Sequence, residues 1–222
     1  MNVLALDLST PRAGVALWRS GGTTVERMWE PAPRDSRPLY TAIRELLGGA
    51  GLMADDVDLF VAGRGPGNYS GLRIALTVAA MLAMPGRRPW VALDSGVAVA
   101  EEAFRRWPVD DVLVAGDARR GRVWCGRCRR EDDGAARLDG GWRLVRPGEL
   151  DSLVPAAGIG VTSEWAALSD LARLSKGSGR WWEDDIPPRP LHLARRAAER
   201  WLTGAPFPPA VPVYLHPPVA GV

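Results

Sequence analysis

Lysine is nearly missing from this chain. Of 28 basic residues only Lys176 is a lysine. Arginine keeps its proton at any physiological pH, so Schiff-base and lysine general-base chemistry are all but excluded. Cysteine and histidine are equally scarce, with two of each. Two cysteines make no disulfide framework. Histidines only at His192 and His216 leave no His-Glu-x-x-His and no His-x-x-x-His pair for a metal. Long apolar runs are absent too. The longest, Ile74 to Met84, ends at Pro85, far short of the roughly 20 residues a bilayer demands. The opening Met-Asn-Val-Leu-Ala-Leu-Asp has no basic flank and no secretory pattern. A soluble, cytoplasmic protein with no membrane contact is expected.

Excess charge is also lacking. The 28 basic residues face 26 acidic ones, for a net +2. Gripping nucleic-acid backbone as a main task calls for a concentrated positive face instead. What is present is an ordinary globular balance, 46% hydrophobic and 24% charged over 222 residues. That is enough for a substantial core in one large or two small domains. The 25 glycines and 19 prolines follow no period and point to many tight turns.

Apolar runs at Val3–Leu6, Val15–Trp18, Val25–Trp29, Leu59–Ala62 and Trp90–Leu93 predict strands. Ser36 is placed to cap a helix with Leu39, Ile43, Leu46 and Leu47 on one face, ended by Gly48-Gly49. A second helix is predicted over 72–84 and a third from Ser95 to Trp107. The opening pattern then recurs, with Val112 to Asp117 paralleling Val3 to Asp7 and Val123-Trp124-Cys125 returning like Val15-Ala16-Leu17. A repeat this short arises by chance as easily as by duplication. A duplicated strand–Asp–turn–strand is nevertheless what opens both halves of a two-lobed actin-like ATPase fold. Further strands at 142–145 and 159–161 and helices at 165–174 and 191–202 follow. A loop through Lys176 to Pro190 joins the lobes, and a proline-rich tail ends the chain. The expected division is 1–106, 107–186 and 187–222.

Gly63 to Arg73, with Gly65-Pro66-Gly67-Asn68-Tyr69-Ser70-Gly71, is the most informative stretch. A glycine loop feeding a helix N-terminus offers free N–H groups and the positive end of the helix dipole to an anion. Neither a Walker A loop nor a dinucleotide fingerprint is present. A tight structural turn using positive φ explains the same glycines. The helix behind the loop carries Ala75, Ala79 and Ala83 as a small-residue stripe. Leu72, Ile74, Leu76, Val78, Met81 and Leu82 cover most of the rest. A helix apolar all round is buried on more than one side, by the Leu39–Leu47 helix or by another subunit.

Three segments resemble the TsaB (YeaZ) family of the tRNA threonylcarbamoyladenosine (t6A) system. They are Asp7-Leu8-Ser9-Thr10, Gly65 to Ile74, and Asp117-Ala118-Arg119-Arg120-Gly121-Arg122-Val123. The ending Pro212-Val213-Tyr214-Leu215 is similar as well. The resemblance is strong to about residue 125 and thin beyond. Leu8 and Asp35-Ser36 depart from the family's usual residues.

The resemblance implies an α/β fold: the two-lobed actin-like (ASKHA, RNase H-like) architecture with duplicated mixed sheets flanked by helices. It implies a non-catalytic partner of a TsaD-like catalytic subunit in t6A37 formation. A TsaE-like ATPase joins that pair, TsaC supplies the activated intermediate, and tRNA is met through the complex. Pairing is expected through Leu39, Ile43, Leu47, Leu72, Ala75, Leu76, Ala79, Met81, Leu82 and Ala83, with a homodimer when the partner is missing. No cofactor of its own and no metal are expected. A vestigial or shared ATP/ADP site would lie at Asp7, Ser9, Thr10, Gly65, Gly67 and Ser70. The alternative is a small actin-like ATPase or phosphotransferase using those same loops.

Other constellations carry less. Cys125-Gly126-Arg127-Cys128 has the thioredoxin spacing but no helix behind it, and on a strand its two cysteines face opposite sides. Asp7 and Asp117 end equivalent strands and are either remnants of a Mg-nucleotide site or turn formers. Arg12, Arg119, Arg120 and Arg122 suit a solvated hairpin, tRNA or an acidic partner. His192 is expected on the surface. The ten tryptophans are not interleaved with a basic stripe.

Overall fold

The computed structural model describes residues 1–30, 37–174, 177 and 179–217. The cap expected at Ser36, the family departure at Asp35-Ser36 and the lone Lys176 lie outside these residues. The chain divides into two compact units. Unit 1 is Met1–Ala98 with Pro188–Pro212. Unit 2 is Val99–Pro187 with the described residues from Val213 onward. The C-terminal segment expected as a third region is thus shared between the two.

In unit 1, β1 (Asn2–Asp7), β2 (Ala13–Arg19), β3 (Val25–Trp29), β4 (Leu59–Gly63) and β5 (Trp90–Leu93) form one mixed sheet. Its order is β3-β2-β1-β4-β5. β1 pairs antiparallel with β2 and parallel with β4. Alternation sends Leu4 and Leu6 to one face and Val3 and Ala5 to the other. Both faces are covered, which is why these strands read as unbroken apolar runs. One face packs on α1 (Arg37–Gly49) and α2 (Tyr69–Ala83). The other packs on Ala98 of α3 (Ser95–Arg106) and on Leu193, Ala194, Ala197 and Ala198 of α5 (Pro190–Thr203). His192 is buried on α5, not on the surface as expected. The helix turns its first residues toward the sheet.

In unit 2, β6 (Asp111–Arg119), β7 (Arg122–Arg130), β8 (Ala136–Val145) and β9 (Ile159–Thr162) form a second mixed sheet, ordered β8-β7-β6-β9. Again the first strand pairs antiparallel with its successor and parallel with a later strand. α4 (Trp165–Ala172) closes a core of Leu113, Ala115, Val123, Cys125, Leu150 and Trp181. Strand β7 runs on through the charged residues 127–130. Arg127 pairs with Asp111. Arg130 donates from Nη2 to the carbonyls of Phe104, Trp107 and Val109 at the end of α3. Trp124 lies across Gly116 on the neighbouring strand, where a Cβ would come within 2.5 Å of the indole. Among the described residues no helix is long and apolar enough to cross a membrane.

Candidate partner surface and the two aspartate turns

Asp7 ends β1 fully buried. Its Oδ1 accepts from the amide of Ser9 at 2.8 Å and from the Ser9 hydroxyl at 2.6 Å. Asp117 repeats this in unit 2, with Oδ1 accepting from the amide of Arg119 at 2.7 Å. Both aspartates are therefore turn formers of the Asx kind, two residues ahead of the amide they hold. Asp7 Oδ2 has no hydrogen-bond partner among the described residues. Burial pushes the Asp7 carboxyl above the usual carboxylate range; the hydrogen bonds from Ser9 pull it back in part. Glu164, which accepts from the amide of Asp117 at 3.2 Å, is likewise raised by burial.

The glycine loop lies against the Asp7 turn, backbone to backbone. A Cβ on Gly71 would sit 1.8 Å from the Leu8 carbonyl oxygen, and one on Gly67 2.2 Å from that of Ser9. The Asn68 amide donates to the Ser9 carbonyl at 2.6 Å. The Asn68 side chain caps α2, accepting from the amides of Ser70 and Gly71. Helix α2 thus starts at Tyr69, before the expected Leu72. Gly65 N donates to Ser95 Oγ at 3.0 Å. The amides of Gly65, Asn68, Ser70 and Gly71 are already engaged, and Asp7, Ser9 and Thr10 are buried. A nucleotide phosphate at the α2 N-terminus would have to displace these contacts. Among the described residues no group of three or more His, Cys, Asp or Glu is placed to hold a metal. Cys125 and Cys128 are buried and not joined in a disulfide, and burial raises the Cys125 thiol, the reverse of what a redox nucleophile needs.

Most residues of the expected partner face lie in the core of unit 1. Leu72, Ala75 and Ala79 are fully buried, and Leu76 and Ala83 nearly so. Ala75, Leu76, Ala79 and Ala83 belong to the core on the sheet, together with Leu39, Ile43 and Leu47 of α1. The alanine stripe lets α2 lie close on β1 and β4, so it faces its own sheet. Leu82 packs partly against the same core. Of the expected set only Met81 is exposed, at 60%. The outer face of α2 instead carries Tyr69, Ile74 and Met81, with Met84 just beyond; Ile74 is 41% exposed and Met84 70%. Apolar residues recurring at 74, 81 and 84 are the signal for this face, and the all-round hydrophobicity of the helix masked it.

Antiparallel hairpin, parallel third strand, and an Asx turn between the hairpin strands occur once in each unit. This is the duplicated fold of the actin-like ATPase superfamily. Among family profiles, that described as "TsaD: tRNA N6-adenosine threonylcarbamoyltransferase" matches residues 32–140. The tRNA threonylcarbamoyladenosine biosynthesis protein TsaB of Escherichia coli is 28% identical over 179 residues, covering 79% of this chain and 77% of that protein. TsaB of Haemophilus influenzae is 33% identical over 132 residues, covering 59% of this chain and 55% of the relative. The solved YeaZ from Pseudomonas aeruginosa superposes with a TM-score of 0.81 at 28% identity, covering 96% of this chain and 99% of its own. Over most of its length the chain is similar to proteins of the TsaB (YeaZ) family.

Proposed function

We propose that this chain is a non-catalytic partner in tRNA t6A biosynthesis, binding a TsaD-like catalytic subunit through the outer face of α2. The observation that carries the reading is the row Ile74, Met81 and Met84. These three large apolar side chains stand exposed along one helix. Apolar patches of this kind mark protein–protein surfaces when contiguous. The engaged amides around the Asp7 turn and the sealed Asp7 carboxyl favour a scaffold over the alternative ATPase. The four roles expected around it are a TsaD-like transferase, a TsaE-like ATPase, TsaC as supplier, and tRNA bound by the assembly, all in the cytoplasm. Without the transferase, the same face would pair two copies of this chain.

The test is co-elution. Purified with the TsaD-like protein of its own genome, the chain should migrate as a complex in size exclusion. Met81→Arg should abolish the complex while leaving the melting temperature unchanged. A Met81→Arg variant that still co-elutes would place the partner elsewhere.

A further inference from the structure

The tip of the β6–β7 hairpin is built against local preference. Arg119 and Arg122 pair across a two-residue loop, Arg120-Gly121. Such a loop takes positive φ at both central residues and favours Asn-Gly or Gly-Gly. Here Arg120 stands at φ 53° and Arg119, at the register shift before it, at φ 66°. Left-handed backbone is uncommon for a long side chain and tends to persist where function requires it. A second local conflict adjoins the first. Val123 pairs with Val145, and Arg122 and Arg146 flank that pair on neighbouring strands. Like charges so placed oppose pairing.

All four arginines are exposed. Arg119 Nη1 donates to Asp117 Oδ2 at 2.8 Å. Arg120, Arg122 and Arg146 have no ion-pair partner among the described residues. Of the nearby acids, Glu149 accepts from the Arg146 backbone amide and Glu164 from that of Asp117, with the Arg119 charge acting on the Glu164 carboxyl as well. His216 Nε2 lies 2.7 Å from the Ala118 carbonyl oxygen and donates to it, fastening the tail to the base of the tip.

We propose that this tip, Arg119, Arg120, Arg122 and Arg146, is a contact surface for RNA backbone phosphates. On the proposed function, on which this inference rests, that RNA is tRNA. A net charge near zero is compatible with it, because four arginines meet at this one hairpin end. Arginine suits the role because its planar fork meets phosphate oxygens bidentately. Contacts to successive phosphates would also offset the repulsion between neighbouring guanidinium groups.

The test is a salt titration of tRNA-transcript binding, read by fluorescence anisotropy, on the chain in complex with its TsaD-like partner. Arg120→Gly and the double variant Arg122→Gln/Arg146→Gln are compared with the parent. The log–log salt slope should flatten by roughly 0.7 to 0.9 for each arginine removed. The melting temperature of both variants should equal or exceed the parent's, since one relieves left-handed backbone and the other like-charge repulsion. Unchanged slopes overturn the proposal. So does an unchanged RNA slope accompanied by loss of the TsaD-like subunit, which would make the tip a contact for an acidic protein surface. Failure here is distinct from failure of the proposed function. In the first case t6A formation still depends on the parent chain while the slopes do not move; in the second that dependence is itself absent.

Discussion

Glu26 on β3 holds Arg189 and the start of α5, across 163 residues of sequence. Its Oε2 accepts from Arg189 Nε at 2.6 Å and its Oε1 from the Leu191 amide at 3.0 Å. A carboxylate at a helix N-terminus meets both the free amides and the dipole. Glu26 is nearly buried, while Arg189 keeps about a third of its side-chain surface exposed. This contact fastens the returning C-terminal helix to the sheet of unit 1. Glu26→Ala should cost about 2 kcal/mol, discounted from the 3–5 of a fully buried pair for the exposure of Arg189. Urea unfolding measures it, and a loss below about 0.5 kcal/mol, typical of surface changes, would deny the contact its role.

Ala79 has no exposed surface and lies on the sheet. Ala79→Arg should therefore unfold the isolated chain or cost more than about 4 kcal/mol, through overpacking and an unpaired buried charge. Circular dichroism melts of Ala79→Arg and Met81→Arg, side by side, separate the inner from the outer face of α2. A normal melt for Ala79→Arg would return the alanine stripe to the partner surface.

The Asp7 carboxyl sits above its unfolded value because burial penalises the charged form. The folded state thus binds that proton more tightly than the unfolded state. Its contribution to stability is fully present below the unfolded pKa of about 3.9 and is lost as pH rises through the higher folded value. Asp7→Asn removes this dependence while keeping an acceptor for the Ser9 amide. The stability difference, variant minus parent, should grow as pH rises out of the acid range. Denaturant titrations across pH check the sign, and a difference that shrinks with rising pH would contradict it.

Gly71 and Gly49 make a contrasting pair. A methyl group on Gly71 would meet the Leu8 carbonyl oxygen at 1.8 Å, whereas one on Gly49 meets nothing within 4 Å. Gly71→Ala should cost about 3 kcal/mol or more through a backbone clash. Gly49→Ala should be neutral or stabilising by up to about 1 kcal/mol through helix propensity. Thermal melts distinguish the two, and equal effects would mean the loop does not rest on the Asp7 turn.

Much of this was legible in the sequence, for identifiable reasons. Apolar runs such as Val3–Leu6 marked strands of a sheet covered on both faces. The echo of Asp7 in Asp117 marked a duplication, seen now in matching strand pairings and Asx turns. What escaped was directional. A helix apolar all round does not disclose which side meets the sheet, so the alanine stripe of α2 was assigned outward. The extension of β7 through Arg127–Arg130 was not legible, because the partners of these charges, Asp111 and the carbonyls ending α3, are remote in sequence. Asn68 was legible as a cap but was absorbed into the glycine loop, which hid the earlier helix start and the occupied amides.

The most direct measurement is reconstitution of t6A formation on a tRNA transcript with TsaC-, TsaD- and TsaE-like proteins, with this chain present, omitted, or replaced by Met81→Arg. Modification should proceed with the parent chain and be slight or absent without it or with the variant. Modification that proceeds equally well without the chain would contradict the scaffold role.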